Sequence, residues 1–263
     1  MRIWHQSMTV LNDYGFYAET IGRHARASVA PDTEVVLHGL RAGTYGGLAP
    51  AEVLKHPYPY HVILNQALEN CFQAEREGFD AVALASYSEP FLREARSLVD
   101  IPVASLAEST LLVGCSMAKY VGLVTITPEV ARMTWDVIHK HGLEKRVSGI
   151  YTLDPPIDEL GLAVAFREPS AFLAAFERTA TRAIDEGADL IIPAEGIFAE
   201  LLWANGIRRI GGVSVMDSLG TLFMYAELLV NLRRRSGLEV GRRWEYSRPA
   251  PEVLQRVRET AGL

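Results

Sequence analysis

Cysteine and lysine are scarce in this chain, and long apolar runs are absent. The two cysteines, Cys71 and Cys115, are too few for a disulfide scaffold or a thiolate metal cluster. Lysine occurs only at positions 55, 119, 140 and 145, so the basic residues are mostly arginine. Acidic residues outnumber basic ones, 32 to 26, for a formal charge of −6. General nucleic-acid or anionic-membrane binders more often carry the opposite sign, so neither partner is expected. No stretch approaches the roughly 20 apolar residues of a membrane span. Residues 1–7 hold no apolar run behind Arg2 and no small-residue cleavage site, which predicts a cytoplasmic protein. HExxH, CxxC, Walker and GxSxG motifs are missing, and no glycine pattern points to an organic cofactor.

What is present is an ordinary globular composition. The chain has 263 residues, 49% hydrophobic and 22% charged. That length serves one large domain or two small ones. Short Val-, Ile- and Leu-rich runs with little polar alternation predict strands buried on both faces. They lie at 2–5, 34–38, 81–85, 102–106, 121–126, 147–151, 190–193 and 212–216. Amphipathic stretches between them predict helices over 62–77, 129–140, 171–186, 198–205 and 219–235. Gly78, Gly142, Gly187, Gly206 and Gly237 follow helical runs, where a left-handed cap is wanted.

This alternation predicts a doubly wound α/β protein with parallel sheets. An internal duplication sharpens it. Residues 77–86 (EGFDAVALAS) and 186–195 (EGADLIIPAE) share the order helix end, Gly, Asp, buried strand, polar tip, which makes Ser86 and Glu195 equivalent. Two similar Rossmann-like, or flavodoxin-like, lobes related by a pseudo-twofold follow. We place the first at 1–113 plus 218–263 and the second at 114–217.

Ligands of open parallel sheets bind outside the carboxyl ends of the strands. Those ends present His5, Ser7, His38, Ser86–Glu89, Glu108–Thr110, Thr125, Thr127, Glu195, Gly196, Asp217 and Ser218. Facing lobes would gather them in one interlobe cleft. Glu195 stands out as a carboxylate ending a buried apolar run, where desolvation raises its pKa towards the range useful for proton transfer. Its structural alternative is a cap for the next helix, as for Ser7, Ser109, Thr127 and Asp217. His24, His56 and His61 carry no usable spacing, and His139 and His141 belong to a solvated helix end.

The segments 78–90 (GFDAVALASYSEP), 101–109 (IPVASLAES), 121–125 (VGLVT), 187–196 (GADLIIPAEG) and 213–217 (VSVMD) together resemble the Asp/Glu/hydantoin racemase superfamily. The resemblance runs in order over most of the chain. It implies two α/β lobes, a small substrate with a carbonyl or carboxylate, and a tendency to homo-oligomerise. Family racemases carry one cysteine at each of the two equivalent strand tips. Here Ser86 and Glu195 stand there, while Cys71 and Cys115 fall on predicted core positions.

A hydroxyl cannot serve unaided as a base at neutral pH, so symmetric two-base racemisation is put in doubt. The leading expectation is therefore a hydrolase opening a hydantoin- or thiohydantoin-like cyclic amide that carries a carboxylate. Glu195 would act as general base, and Ser86 and Tyr87 would hold the developing oxyanion. Ser7, Glu108, Thr127 and Gly196 are expected to bind substrate. His5, Glu195 and Asp217 offer a donor set for a divalent zinc, manganese or cobalt ion. The alternatives are an isomerase or racemase with Glu195 as sole base, a one-base decarboxylase, and a binding protein that has lost catalysis.

Overall fold

The structure, a computed structural model, describes residues 1–262. Its apolar runs form two sheets. The first contains β1 (Arg2–Ser7), β2 (Glu34–His38), β3 (Ala81–Ala85) and β4 (Val103–Ser105), in the order β2-β1-β3-β4, all parallel. Helices α1 (Gly15–Ser28), α2 (Pro50–Leu54), α3 (Pro57–Arg76), α4 (Leu92–Leu98) and α5 (Leu106–Met117) belong to this half of the chain.

The second sheet contains β5 (Val121–Thr125), β6 (Val147–Thr152), β7 (Leu190–Pro193), β8 (Arg209–Ile210) and β9 (Val213–Val215). Its order is β6-β5-β7-β9-β8. Leaving out β8, a short antiparallel edge strand that the strand pattern did not predict, this is the same 2-1-3-4 order as the first sheet. The central strands are buried on both faces, β3, β5 and β7 throughout their length, as their unbroken apolar character predicts, whereas β2 and β6 at the sheet edges are only partly covered. Helices α6 (Pro128–His141), α7 (Glu159–Ala165), α8 (Ser170–Asp185) and α9 (Gly196–Ala204) follow the strands of this half.

Helix α5 contacts β3 and β4 of one sheet and β5 and β7 of the other. Burial on most sides leaves it no polar stripe, which is why hydrophobic periodicity does not reveal it. The chain then returns through α10 (Ser218–Ser236), which packs on α1, α5, β3 and β4. It buries Leu219, Leu222, Phe223, Ala226 and Val230 and leaves Met224 and Leu228 about half exposed. Gly142 and Gly237 end α6 and α10 in the left-handed conformation, each at φ +66°.

The C-terminal tail lies along the first sheet's helices. Arg242 and Arg248 both pair with Asp100, and Arg258 of α11 (Pro251–Ala261) pairs with Glu69. No helix among the described residues is long and apolar enough to cross a membrane.

Candidate active site

The equal strand orders put β3 and β7, each the third strand of its sheet, in corresponding places. In both sheets the chain order reverses beside that strand, the position where doubly wound proteins bind ligands. A pocket of about 90 Å³ opens there, between the lobes. Ser7–Thr9 at the end of β1 and Ala85–Ser88 at the end of β3 line it from one side. Ala194–Ile197 after β7, Val130 and Met133 of α6, and Glu159 of α7 line it from the other. Tyr17 of α1 and Pro50, Ala51 and Leu54 of α2 complete the wall.

Glu195 occupies the N-cap of α9. Its Oε1 accepts the Ile197 N–H at 3.1 Å and its Oε2 the Phe198 N–H at 2.6 Å. The structural alternative is therefore realised, but the carboxyl still faces the pocket. Burial, then the nearby Glu159 carboxylate, push its pKa up to about 7, and they outweigh the helix N–H groups that favour the charged form. Gly196 is required by a close approach, since a Cβ there would sit 3.1 Å from the Tyr17 hydroxyl.

The opposite wall offers hydroxyls rather than a second titrating group. Ser86 Oγ lies 2.9 Å from Ser88 Oγ and accepts the Ser88 N–H at 3.3 Å. Ser7 Oγ lies 2.8 Å from Thr9 Oγ1. The Tyr17 hydroxyl is buried beside Ser7 and held protonated by burial and by Glu195 and Glu200. Tyr87 lines the pocket, but its hydroxyl is turned to Thr110 Oγ1 and Ser218 Oγ at 3.1 and 3.2 Å, away from a place as oxyanion donor.

The structure brings together Ser7, Ser86, Tyr87, Glu195 and Gly196. It does not bring in Glu108 or Thr127. Glu108 pairs with Arg96, and Thr127 caps α6 by accepting the Val130 N–H. Nor does the expected metal set assemble. Strand β1 runs on to Ser7, so His5 lies inside the strand, not at its tip. Its ring is completely buried near Phe223, with neither nitrogen hydrogen-bonded, and burial pushes its pKa down to about 3. Asp217 caps α10 and bonds His24. Among the described residues no three His, Cys, Asp or Glu side chains are placed to hold a metal ion.

Three residues that strand tips could not reveal matter here. Tyr17 and Glu159 line the pocket from helices α1 and α7. His24, which carries no usable spacing in the sequence, is 1% exposed. Its Nδ1 lies 2.5 Å from Glu200 Oε1 and its Nε2 2.9 Å from Asp217 Oδ2, with Trp203 stacked on the ring. This ties α1 to α9, the helix that carries Glu195, and to the start of α10. Cys71 is buried in α3 with its thiol pushed up to about 12, and Cys115 is on α5; neither lines the pocket.

A roomier groove of about 280 Å³ runs between α10 and residues 238–246. Its charged groups are engaged with partners, Arg96 with Glu108 and Asp100 with Arg242 and Arg248. It holds no carboxyl poised like Glu195.

Comparison with known proteins agrees with this architecture. The family model for Asp/Glu/hydantoin racemases matches residues 16–226. A hydantoin racemase from Pseudomonas sp. (strain NS671) is 28% identical over 230 residues, 86% of this chain and 87% of that protein. An allantoin racemase from Klebsiella pneumoniae superposes with a TM-score of 0.78 at 23% identity, covering 95% of this chain and 94% of that one. The allantoin racemase of Pseudomonas fluorescens gives the same TM-score at 22% identity, covering 95% and 98%. Two α/β lobes, their matching sheets and the extent of the family match lead to one conclusion: this chain belongs to the Asp/Glu/hydantoin racemase family.

Proposed function

We propose that the protein is an isomerase that inverts the stereocentre beside a carbonyl in a small cyclic amide of the hydantoin type, with Glu195 as the proton-transferring group. The observation that carries this reading is the Glu195 carboxyl, open to the interlobe pocket, with its pKa raised to about 7. A carboxyl tuned there is both a usable base and a usable acid at neutral pH.

In the forward step the ring C–H bond breaks and its proton goes to a Glu195 oxygen. The electron pair moves into the carbonyl to give a planar enolate. The hydroxyls of Ser7, Ser86 and Ser88 are suited to donate to the enolate oxygen. Reprotonation on the other face completes the inversion, the proton reaching that face from a first-lobe hydroxyl or water and being replaced through Glu195.

Similarity to a hydantoin racemase and an allantoin racemase favours this reading over the hydrolysis expected from the residues alone. The pocket also disfavours the carboxylate expected on the substrate. No Lys, Arg or His lines it among the described residues, and two carboxyl groups do. An anionic ligand would meet like charge without compensation, whereas an uncharged ring meets no such repulsion. Hydrolysis remains a second reading because the Ser86 side offers no second titrating group.

The test is to incubate one enantiomer of a 5-substituted hydantoin with the protein at pH 7. Optical activity should decay to zero with the ring intact. Accumulation of a ring-opened ureido acid with retained configuration would overturn the isomerase reading in favour of hydrolysis.

A further inference from the structure

Glu159 takes no part in the proton transfer described above, yet it touches both the pocket and the segment that covers it. It begins α7, on the second-lobe side, and is 6% exposed. Its two carboxylate oxygens accept a single backbone N–H from the opposite lobe. Ala51 N lies 3.0 Å from Oε1 and 3.2 Å from Oε2.

Ala51 belongs to α2, which walls the pocket through Pro50, Ala51 and Leu54. Helix α2 ends a loop in which Gly43, Gly46 and Gly47 all have positive φ, and the backbone bonds within that loop are local turns. First-lobe anchors hold the loop at one end: the Tyr45 hydroxyl donates to Met8 O, and Arg41 donates to Gln66 Oε1. Among the described residues, the Glu159–Ala51 pair is the only hydrogen bond from residues 41–56 to the second lobe.

The same carboxylate lies beside Glu195 in the pocket wall. The other titratable groups facing it are Asp158 at its own helix cap, Tyr14 after β1 and Tyr45 on the covering loop. None of these is a cation. An ionised Glu159 thus makes its bond to Ala51 charge-assisted, and its charge bears on Glu195 with nothing nearby to neutralise it.

The geometry points to Glu159 as a positioning residue that latches the α2 cover across the cleft and couples that latch electrostatically to the proton on Glu195. Burial raises the pKa of Glu159 itself. With Glu195 protonated, an ionised Glu159 holds the cover shut through its bond to Ala51. When Glu195 ionises, Glu159 takes up a proton more readily, and a neutral carboxyl is the weaker acceptor for the Ala51 N–H. The cover is therefore held most firmly over a site whose acid–base group is loaded. This rests on Glu195 being the proton-transferring group, but its test needs no turnover.

Two variants separate the latch from the charge. Glu159→Gln keeps an oxygen acceptor for the Ala51 N–H and removes the charge, whereas Glu159→Ala removes both. The side-chain carboxyl of Glu195 can be followed by ¹³C NMR in glutamate-labelled protein, assigned with Glu195→Gln. Its titration is expected to move down by about one pH unit in both variants. Hydrogen exchange over residues 48–56 is expected to quicken about tenfold in Glu159→Ala and by a smaller factor in Glu159→Gln, which keeps the acceptor but not the charge. Should the Ala variant not fold, Glu159→Asp, with the charge kept but drawn back from Ala51, supplies the exchange measurement.

With a hydantoin substrate, Glu159→Gln should shift the pH profile at near-unchanged KM, and Glu159→Ala should also raise KM. An unmoved Glu195 titration, or equal exchange in all the proteins, would overturn the coupling and leave the assigned reaction standing. Intact coupling in a protein that does not racemise would instead overturn the reaction.

Discussion

His24 should titrate near pH 9, and the protein should lose stability as pH rises from about 6.5. Burial by itself pushes this imidazole down, but hydrogen bonds to Asp217 and Glu200 outweigh it and hold the pKa at about 9. The protonated ring can donate to both carboxylates at once, one from each nitrogen. A histidine raised in the folded state contributes stability that is fully present below its unfolded pKa of 6.5 and is lost as pH rises through the folded value. At about 1.4 kcal/mol per unit, the shift from 6.5 to about 9 is worth about 3 kcal/mol. Glu200, raised by burial above its ordinary 4.5, acts in the same sense, its loss beginning at lower pH.

Glu200→Gln leaves His24 with a single charged partner. It should lower the histidine's titration and flatten the fall in stability. At pH 6 it should also cost roughly 1–3 kcal/mol, because a buried hydrogen bond to the charged ring is weakened while Asp217 still pairs with it. Urea unfolding at pH 6, 7.5 and 9, with the His24 Cε1–H followed by NMR, measures both effects. The reasoning fails if His24 titrates at or below 6.5, or if wild type and Glu200→Gln lose stability in parallel.

Three further outcomes follow from the pocket. The rate with a neutral hydantoin should rise with pH through a midpoint near 7, since Glu195 must ionise to accept a proton; a flat profile from pH 5 to 8 in kcat/KM would exclude it. Combined Cys71→Ala and Cys115→Ser should keep turnover within about threefold and leave the protein insensitive to thiol alkylation, because neither thiol reaches the pocket. Gly196→Ala places a methyl 3.1 Å from the Tyr17 hydroxyl, so KM should rise several-fold while the thermal midpoint moves by only a few degrees.

The fold was legible because buried parallel strands are written as unbroken apolar runs. β2, β3 and β7 lie where those runs predict them. The duplicated helix–Gly–Asp–strand pattern led to Ser86 and Glu195 because a strand end fixes where its next residue goes. It could not do the same for His5. Side chains alternate across a strand, and two more strand residues put His5 inside the sheet rather than at its tip. Glu108 and Thr127 do follow strands, but ion pairing and helix capping claim their side chains. Tyr17, His24 and Glu159 come from helices, and which helix face meets the other lobe depends on packing that local periodicity does not encode. Glu159 also follows the segment Leu153–Asp158, which contains two prolines and no regular pattern.

Solvent deuterium supplies the sharpest measurement. One enantiomer of a 5-substituted hydantoin is incubated in D₂O at neutral pH with wild-type protein and, separately, with Glu195→Gln. Wild type should place one deuterium on the ring carbon in step with the loss of optical activity, leaving the ring closed. Glu195→Gln, shown folded by its unfolding curve, should slow this about 10²–10⁴-fold. Deuterium entry at an undiminished rate in Glu195→Gln would contradict a proton transfer centred on Glu195.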